Sequence, residues 1–161
     1  MAMIYNFDKD FVKRTEEVLL SCYKNTEYEV TLLLNCLLAL VSLPLERNKV
    51  TANGNSDIKI INFQKNCKSK LRELKNSYKE EKFNPNDKYI LNHIRNAIAH
   101  LHISLEESSY NGQIQNIILR DSRNIQKFNA KDYNFAINIS VENLKKFAIY
   151  VANEYLNNFF E

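Results

Sequence analysis

The stretch Ile90-Leu-Asn-His-Ile-Arg-Asn-Ala-Ile-Ala-His-Leu101 separates apolar from polar side chains around a helix, and the other elements must pack against its apolar side. Each residue of an α-helix turns about 100° from the one before it. One arc of that wheel, predicted to face the core, holds Ile90, Leu91, Ile94, Ala97, Ile98 and Leu101. Two neighbouring stripes lie outside that arc, one with His93, Asn96 and His100, the other with Arg95, Ala99 and, just past the quoted stretch, His102. Because alanine is small, Ala99 leaves a shallow floor between Arg95 and Asn96.

Composition limits the class of protein to which the chain can belong. Its 161 residues, 45% of them hydrophobic, predict a single domain over residues 1–161 with a substantial core. The net charge of +3 is too small to indicate a nucleic-acid binder by bulk electrostatics, so any RNA contact must come from a local patch. Three widely spaced cysteines, Cys22, Cys36 and Cys67, suggest neither a disulfide framework nor a zinc site. We therefore expect a reducing, cytoplasmic location.

Neither the N-terminus nor the longest apolar run has the pattern of a targeting or membrane element. The first ten residues lack a charged region followed by an apolar one, so we do not expect a signal peptide. The apolar run from Val30 to Leu45 is broken by polar residues and Pro44 and is shorter than a bilayer span. We interpret it as a buried helix and expect no membrane association.

Hydrophobic periodicity predicts a mainly α fold, a bundle of about five helices. The predicted helices run over Phe7–Tyr23, Thr26–Leu43 and Ile58–Lys82, then from Pro85-Asn86-Asp87, and finally from a Ser140 cap. Thr26 and Glu29 have the spacing of a capping box, and Pro44 is expected to end the second helix. The third helix presents Cys67, Leu71, Leu74 and Tyr78 on one face, and the last presents Leu144, Phe147, Ala148, Val151 and Tyr155.

The period changes from helical to alternating before the last helix. Phe135, Ile137 and Ile139 alternate with smaller or polar residues, and Ile117–Arg120 is a suitable partner strand. We therefore predict a small β-hairpin at about residues 114–139, inserted before the last helix.

Histidine and arginine on one helix indicate a specific chemistry. Attack of a ribose 2′-hydroxyl on the adjacent phosphate needs a base, an acid for the departing 5′-oxygen, and positive charge on the phosphoryl oxygens. Histidine exchanges protons near neutral pH, and arginine offers a permanently charged fork of donors. Arg95 and His100 supply these groups, and Asn96 could orient the imidazole or bind a phosphate oxygen. One chain supplies half of the set, so a homodimer would complete it. No metal or cofactor is required.

Other interpretations of the same residues stay open. A solvated helix face explains Arg95 and Asn96 equally well. We interpret His93 as a helix-surface or dimer-interface residue, and His102 either as an accessory histidine or as a favourable partner of the helix dipole.

Two further groups of polar residues have alternative interpretations. A basic ridge on the third helix could neutralise RNA phosphates, although a solvated face explains it too; its members are Lys65, Lys68, Arg72, Lys75 and Lys79. On the second helix a buried Asn35 would need hydrogen-bond partners. It could orient Arg95 or His100, or bind backbone within the bundle.

The motif Arg95-Asn-Ala-Ile-Ala-His100 has the form R-x4-6-H, with a polar residue directly after the arginine, on a late helix of a small helical domain. In this the chain resembles the HEPN superfamily. The resemblance, to the plasmid- and defence-associated subgroup, extends over Phe11-Val-Lys-Arg-Thr15, Tyr28-Glu-Val-Thr31 with Asn35, Leu43-Pro-Leu-Glu46 and Ser140-Val-Glu-Asn-Leu144.

The resemblance implies a homodimeric, metal-independent endoribonuclease whose cleft contains both copies of the motif. Arg95 would hold the scissile phosphate, Asn96 would assist, and His100 would be the acid or base, giving 2′,3′-cyclic phosphate and 5′-hydroxyl ends. Such proteins often act as toxins or as abortive-infection effectors against phage. Where relatives controlled by adenylation commonly carry a tyrosine, this chain has His102, so another antitoxin or none remains open. A non-catalytic nucleotide- or RNA-binding module and a helical protein-interaction module are the alternatives.

Overall fold

The computed structural model describes residues 2–22, 29–50, 58–76, 82–84, 86–110, 112–121 and 133–160, with the side chains of 2–6, 22 and 47–50 left aside. The helices in these residues are α1 (Ala2–Glu17, continued by a π-helical turn over Val18–Cys22), α2 (Glu29–Val50), α3 (Ile58–Leu74), α4 (Ile90–Ala99) and α5 (Val141–Phe160). The strands in the same part of the chain are β1 (Ile103–Glu107), β2 (Ile114–Asp121) and β3 (Phe135–Ser140). The predicted fold class, mainly α with a small β element before the last helix, is confirmed.

The sheet is antiparallel, in the order β1-β2-β3, and has one strand more than the predicted hairpin. Leu119 in the central strand pairs with Ile103 on one side and Ile137 on the other. Strand β1 was not predicted, because its Ile-Ser-Leu-Glu-Glu segment is short and acidic at its end. Exposed Glu106 and Glu107 suit an edge strand, where charge opposes pairing with other chains.

Four predicted helix boundaries were wrong. The first helix begins at Ala2 instead of Phe7. The second helix continues past Pro44 to Val50. Burial of Pro44 and Leu45 in the core compensates for the backbone hydrogen bond that a proline cannot donate. The third helix ends at Leu74, short of Lys82, because the Asn76 N–H donates to the Asn138 carbonyl and Lys82 pairs with Ala136, both in β3. The fourth begins at Ile90, after a turn in which the Tyr89 N–H donates to Asp87 Oδ1 at 2.8 Å.

Helix α4 lies at the centre of the molecule, between α2 and β2, while α5 packs on α1, α2 and α3. Five of its six predicted core residues are buried: Ile90, Leu91, Ile94, Ala97 and Ile98. The predicted apolar stripe of α5 is also buried. The Ser140 cap is present, since the Asn143 N–H donates to Ser140 Oγ at 3.1 Å. The two apolar stripes were therefore sufficient to identify the core of these helices.

Helix α2 buries Leu33, Leu37 and Leu40 in that core, as expected for a buried helix. By length and apolar composition its segment Glu29–Glu46 is also the one described stretch that could cross a membrane, a test that core helices pass as well. Cys36 and Cys67 are buried free thiols, and burial raises the pKa of both. The side chain of Cys22 lies outside the described part.

The prediction that Leu101 faces the core was wrong, because its side chain is 80% exposed. The helix ends at Ala99, and Leu101 adopts the left-handed conformation with φ of 56°. In this position its N–H donates to the Ile98 carbonyl, and the N–H of His102 donates to the Ala97 carbonyl. These are the two bonds of a Schellman motif, which normally has glycine at this position.

Leu101→Gly should raise the free energy of unfolding by about 1 kcal/mol, because glycine adopts this conformation without the clash of a Cβ atom. Urea denaturation of both proteins measures the difference. Leu101→Ala is the matched control, since it removes the same exposed side chain but keeps Cβ. Equal stability of the two variants would show that backbone strain is not the cause.

Candidate functional site

Arg95 and Asn96 form one hydrogen-bonded group on α4. Arg95 Nη1 donates to Glu46 Oε1 of α2 at 3.2 Å, and Arg95 Nη2 donates to Asn96 Oδ1 at 3.3 Å. The arginine side chain is 24% exposed and that of Glu46 is 58% exposed. An ion pair this open to water contributes little to stability, so an anionic ligand can replace Glu46 on the guanidinium.

Asn96 also contacts the sheet. Its Nδ2 donates to Asp121 Oδ2, at the end of β2, at 3.2 Å. The amide therefore has its oxygen towards the Arg95 guanidinium and its nitrogen towards a carboxylate. Both neighbours favour this one orientation of the amide.

His93 lies buried between two aspartates. Its Nδ1 is 2.6 Å from Asp121 Oδ2, its Nε2 is 2.8 Å from Asp87 Oδ2, and its ring stacks on that of Phe135 at 5.2 Å. A neutral imidazole has one N–H, whereas carboxylate oxygens on both sides call for two donors, so the geometry favours the imidazolium. The prediction that His93 lies on the helix surface or at a dimer interface was wrong, because β2, β3 and the Asp87 turn cover this side of α4.

The charge state of His93 follows from the same contacts. Burial alone would lower its pKa, but the hydrogen bond and charge of Asp121 and those of Asp87 outweigh burial, so the pKa is raised above 6.5. No lone pair of the charged ring is left for a metal. Within the described ranges, no group of three or more His, Cys, Asp or Glu side chains could hold a metal ion.

This raised pKa predicts that the protein is less stable in alkaline solution. The folded protein holds the His93 proton more tightly than the unfolded chain does, so the gain is complete below about pH 6.5. It is lost as the pH rises through the folded-state pKa. Urea denaturation at a series of pH values should show this decline, and His93→Gln should lack it. An equal decline in that variant would assign the effect to other groups.

His100 and His102 lie at the end of α4. His100 is exposed and occupies the C-cap position, where its N–H donates to the Asn96 carbonyl at 2.9 Å. Its ring lies 5.7 Å from that of His102, which is half-buried. The His102 carbonyl accepts a hydrogen bond from the Arg120 N–H of β2 at 3.0 Å. The structure thus places the exposed imidazole one turn beyond the Arg95 and Asn96 group.

The members of the predicted basic ridge differ in their surroundings. Lys65 and Arg72 are exposed, but Lys68 Nζ donates to the Asp87 carbonyl at 3.3 Å and Lys75 Nζ lies 5.5 Å from the centre of the Phe83 ring. Lys79 lies outside the described residues. Contact of these residues with RNA stays a prediction.

The prediction of a buried Asn35 was wrong. This side chain is exposed, because the core face of α2 is formed by Leu33, Leu37 and Leu40. Asn35 therefore has no need of the buried hydrogen-bond partners that the sequence analysis assigned to it.

Sequence reasoning missed two residues of this region, Asp87 and Asp121. Asp87 was interpreted only as part of a helix start. Asp121 follows the predicted strand Ile117–Arg120, and strand alternation places it on the face of the buried residues Ile117 and Leu119. A carboxylate on a core-facing strand position requires a partner, and that signal could have identified it.

These features define a small helical-bundle protein whose central helix presents an arginine, an asparagine and an exposed histidine beside a buried Asp-His-Asp network. A family model described as HEPN pEK499 p136 matches residues 1–161. The chain therefore belongs to this HEPN family, and membership indicates a nuclease or an RNA-binding module. Comparisons with curated proteins and with solved structures gave no match.

Proposed function

We propose that the protein is a metal-independent endoribonuclease with Arg95, Asn96 and His100 at its active site. The observation that carries the proposal is the geometry of α4. A partly exposed guanidinium is held beside the Asn96 amide, and an exposed imidazole lies one turn away. These are the groups that stabilise a phosphoryl anion and transfer protons near neutral pH.

In the proposed reaction the 2′-oxygen attacks the neighbouring phosphorus while a base takes the 2′-hydroxyl proton. The bond from phosphorus to the 5′-oxygen breaks, and an acid protonates that oxygen. The products are a 2′,3′-cyclic phosphate and a 5′-hydroxyl. Arg95 binds the phosphoryl oxygens in place of Glu46, Asn96 supports Arg95, and His100 acts as acid or base.

The proposed enzyme is a homodimer with its cleft on the two-fold axis. One chain contributes one His100, whereas the reaction needs both an acid and a base, so the second copy supplies the other. Ala99 and Leu101, which flank His100, are exposed. A small residue and an apolar residue there suit close approach of a second copy.

In this proposal the protein acts in the cytoplasm as a toxin or antiphage effector, and its substrate is RNA. An antitoxin or a defence-system protein would be the partner that restrains it. Induced synthesis of the wild-type protein should arrest growth, and synthesis of His100→Ala should not. Mapping RNA ends in the two cultures would identify the substrate.

The decisive experiment incubates the purified protein with single-stranded RNA in EDTA and determines the chemistry of the new ends. Cyclic phosphate and 5′-hydroxyl ends are expected. Binding of RNA without cleavage would instead support a non-catalytic RNA-binding module. Absence of both binding and cleavage would support a helical protein-interaction module.

A further inference from the structure

A continuous series of hydrogen bonds connects the interior of the protein to the proposed active site. It runs from Asp87 to His93, from His93 to Asp121, from Asp121 to Asn96 and from Asn96 to Arg95. His93 and Asp121 are only 5% and 4% exposed. The partly exposed Arg95 thus rests on a buried, charged network.

Asp121 is the branch point of this series. Its Oδ2 accepts both from His93 Nδ1 at 2.6 Å and from Asn96 Nδ2 at 3.2 Å. The carboxylate therefore holds the nitrogen of the Asn96 amide and leaves the amide oxygen directed at Arg95. A rotated amide would place its nitrogen against the guanidinium, and two donors repel each other.

Burial of this network needs an explanation beyond stability. Removing charges from water is costly, and well-packed apolar residues often stabilise a core at least as well as a buried ion pair does. His93 gives Asp121 a second, shorter hydrogen bond and a neighbouring positive charge, while Phe135 fixes the plane of the imidazole. The position of Asp121, and hence of the Oδ2 atom that accepts from Asn96, is thereby defined.

We propose that Asp121 is a positioning residue of the RNA-cleaving site, that His93 holds it in place, and that it acts through Asn96 on Arg95. The proposal rests on the proposed function. It assigns His93 no proton transfer, because both of its ring nitrogens are already bonded to carboxylates. The catalytic histidine remains His100.

A double-mutant cycle tests this assignment through the kcat and KM of RNA cleavage. Asp121→Ala and Asn96→Ala should each lower kcat by about 10²-fold, the scale of effect expected from a displacement of about 1 Å in an active site, with a smaller change in KM. In the Asn96→Ala background, Asp121→Ala should cause no further loss of kcat among folded molecules. If the loss of kcat in the double variant were the product of the two single losses, the proposal would be overturned. A purely structural Asp121 would lower kcat by the same factor with or without Asn96.

Two variants refine the cycle. Asp121→Asn keeps an oxygen acceptor, so it should recover most of the kcat that Asp121→Ala loses. Glu107→Gln is the matched control, because it neutralises an exposed carboxylate of β1 that lies outside this series of hydrogen bonds; its kcat should stay within about threefold of wild type. Failure of Asp121→Asn to recover activity would contradict a role in positioning.

Hydrogen exchange of the Asn96 side-chain amide tests the proposal in the wild-type protein without RNA. This measurement depends neither on activity nor on the folding of a variant. NMR should show that the Asn96 Nδ2 proton directed at Asp121 exchanges with water more slowly than the other Nδ2 proton. Rapid exchange of that amide in the wild-type protein would overturn the positioning role. An inactive wild-type protein with a protected Asn96 amide would refute the proposed function, while the hydrogen bond by which Asp121 orients Asn96 would stand.

Discussion

Replacement of His100 with alanine should lower the kcat for single-stranded RNA by about 10²- to 10⁴-fold, the usual contribution of a general acid or base. The reason is that His100 is the exposed imidazole one turn from the Arg95 and Asn96 group, and alanine can neither donate nor accept a proton. Because His100 is exposed, the free energy of unfolding should change by no more than about 0.5 kcal/mol. Steady-state cleavage assays and urea denaturation measure the two quantities separately.

Two variants control for indirect effects. Asn157→Ala changes an exposed residue of α5 and should cleave RNA at the wild-type rate. Arg95→Ala should be as defective as His100→Ala, while Arg95→Lys should keep part of the RNA affinity, because lysine preserves the charge but loses the fork of donors. Full cleavage by both alanine variants would exclude this site as the source of activity.

The dimeric form of the proposal adds a sharper test. If one His100 is the acid and the other the base, a heterodimer of wild-type and His100→Ala chains should be as inactive as the His100→Ala homodimer. Differently tagged chains, purified as the mixed dimer, allow this comparison. A mixed dimer with half of the wild-type activity would show that each subunit cleaves RNA independently.

Much of the fold could be predicted because its signals are local. The apolar arc of α4 and the stripe of α5 repeat with helical period, and the Ser140 cap needs only its own helix. The same arc placed Arg95 and Asn96 outside the core, and the structure agrees that both are half-buried at its edge. Local periodicity was sufficient to predict burial wherever the pattern of one helix alone determines which of its faces is buried.

The predictions of burial were wrong where a segment distant in sequence covers the residue. A wheel separates the faces of α4 but cannot show that β2 and the Asp87 turn cover His93, and Asp121 lies 28 positions further along the chain. Leu101 has helical spacing, yet the helix has already ended at Ala99. Pro44 stays inside α2 because tertiary burial outweighs the lost hydrogen bond. The buried support of Arg95 was therefore inaccessible to sequence periodicity.

His93→Ala should have the largest effect on stability, lowering the free energy of unfolding by about 3–5 kcal/mol at neutral pH. The substitution leaves the carboxylates of Asp87 and Asp121 without their shared positive partner in a region where Asp121 is only 4% exposed. It also removes the ring that stacks on Phe135. Urea denaturation monitored by circular dichroism measures the loss.

The loss of stability in His93→Ala has two possible causes, the unpaired carboxylates and the missing ring. A compensating variant separates them. His93→Leu alone restores apolar volume against Phe135 but leaves both carboxylates unpaired, so it should remain strongly destabilised. Adding Asp87→Asn and Asp121→Asn removes the charges and should recover most of the loss, because neutral amides are far less costly to bury than unpaired carboxylates. If the triple variant were no more stable than His93→Leu, the unpaired carboxylates would not be the origin of the loss.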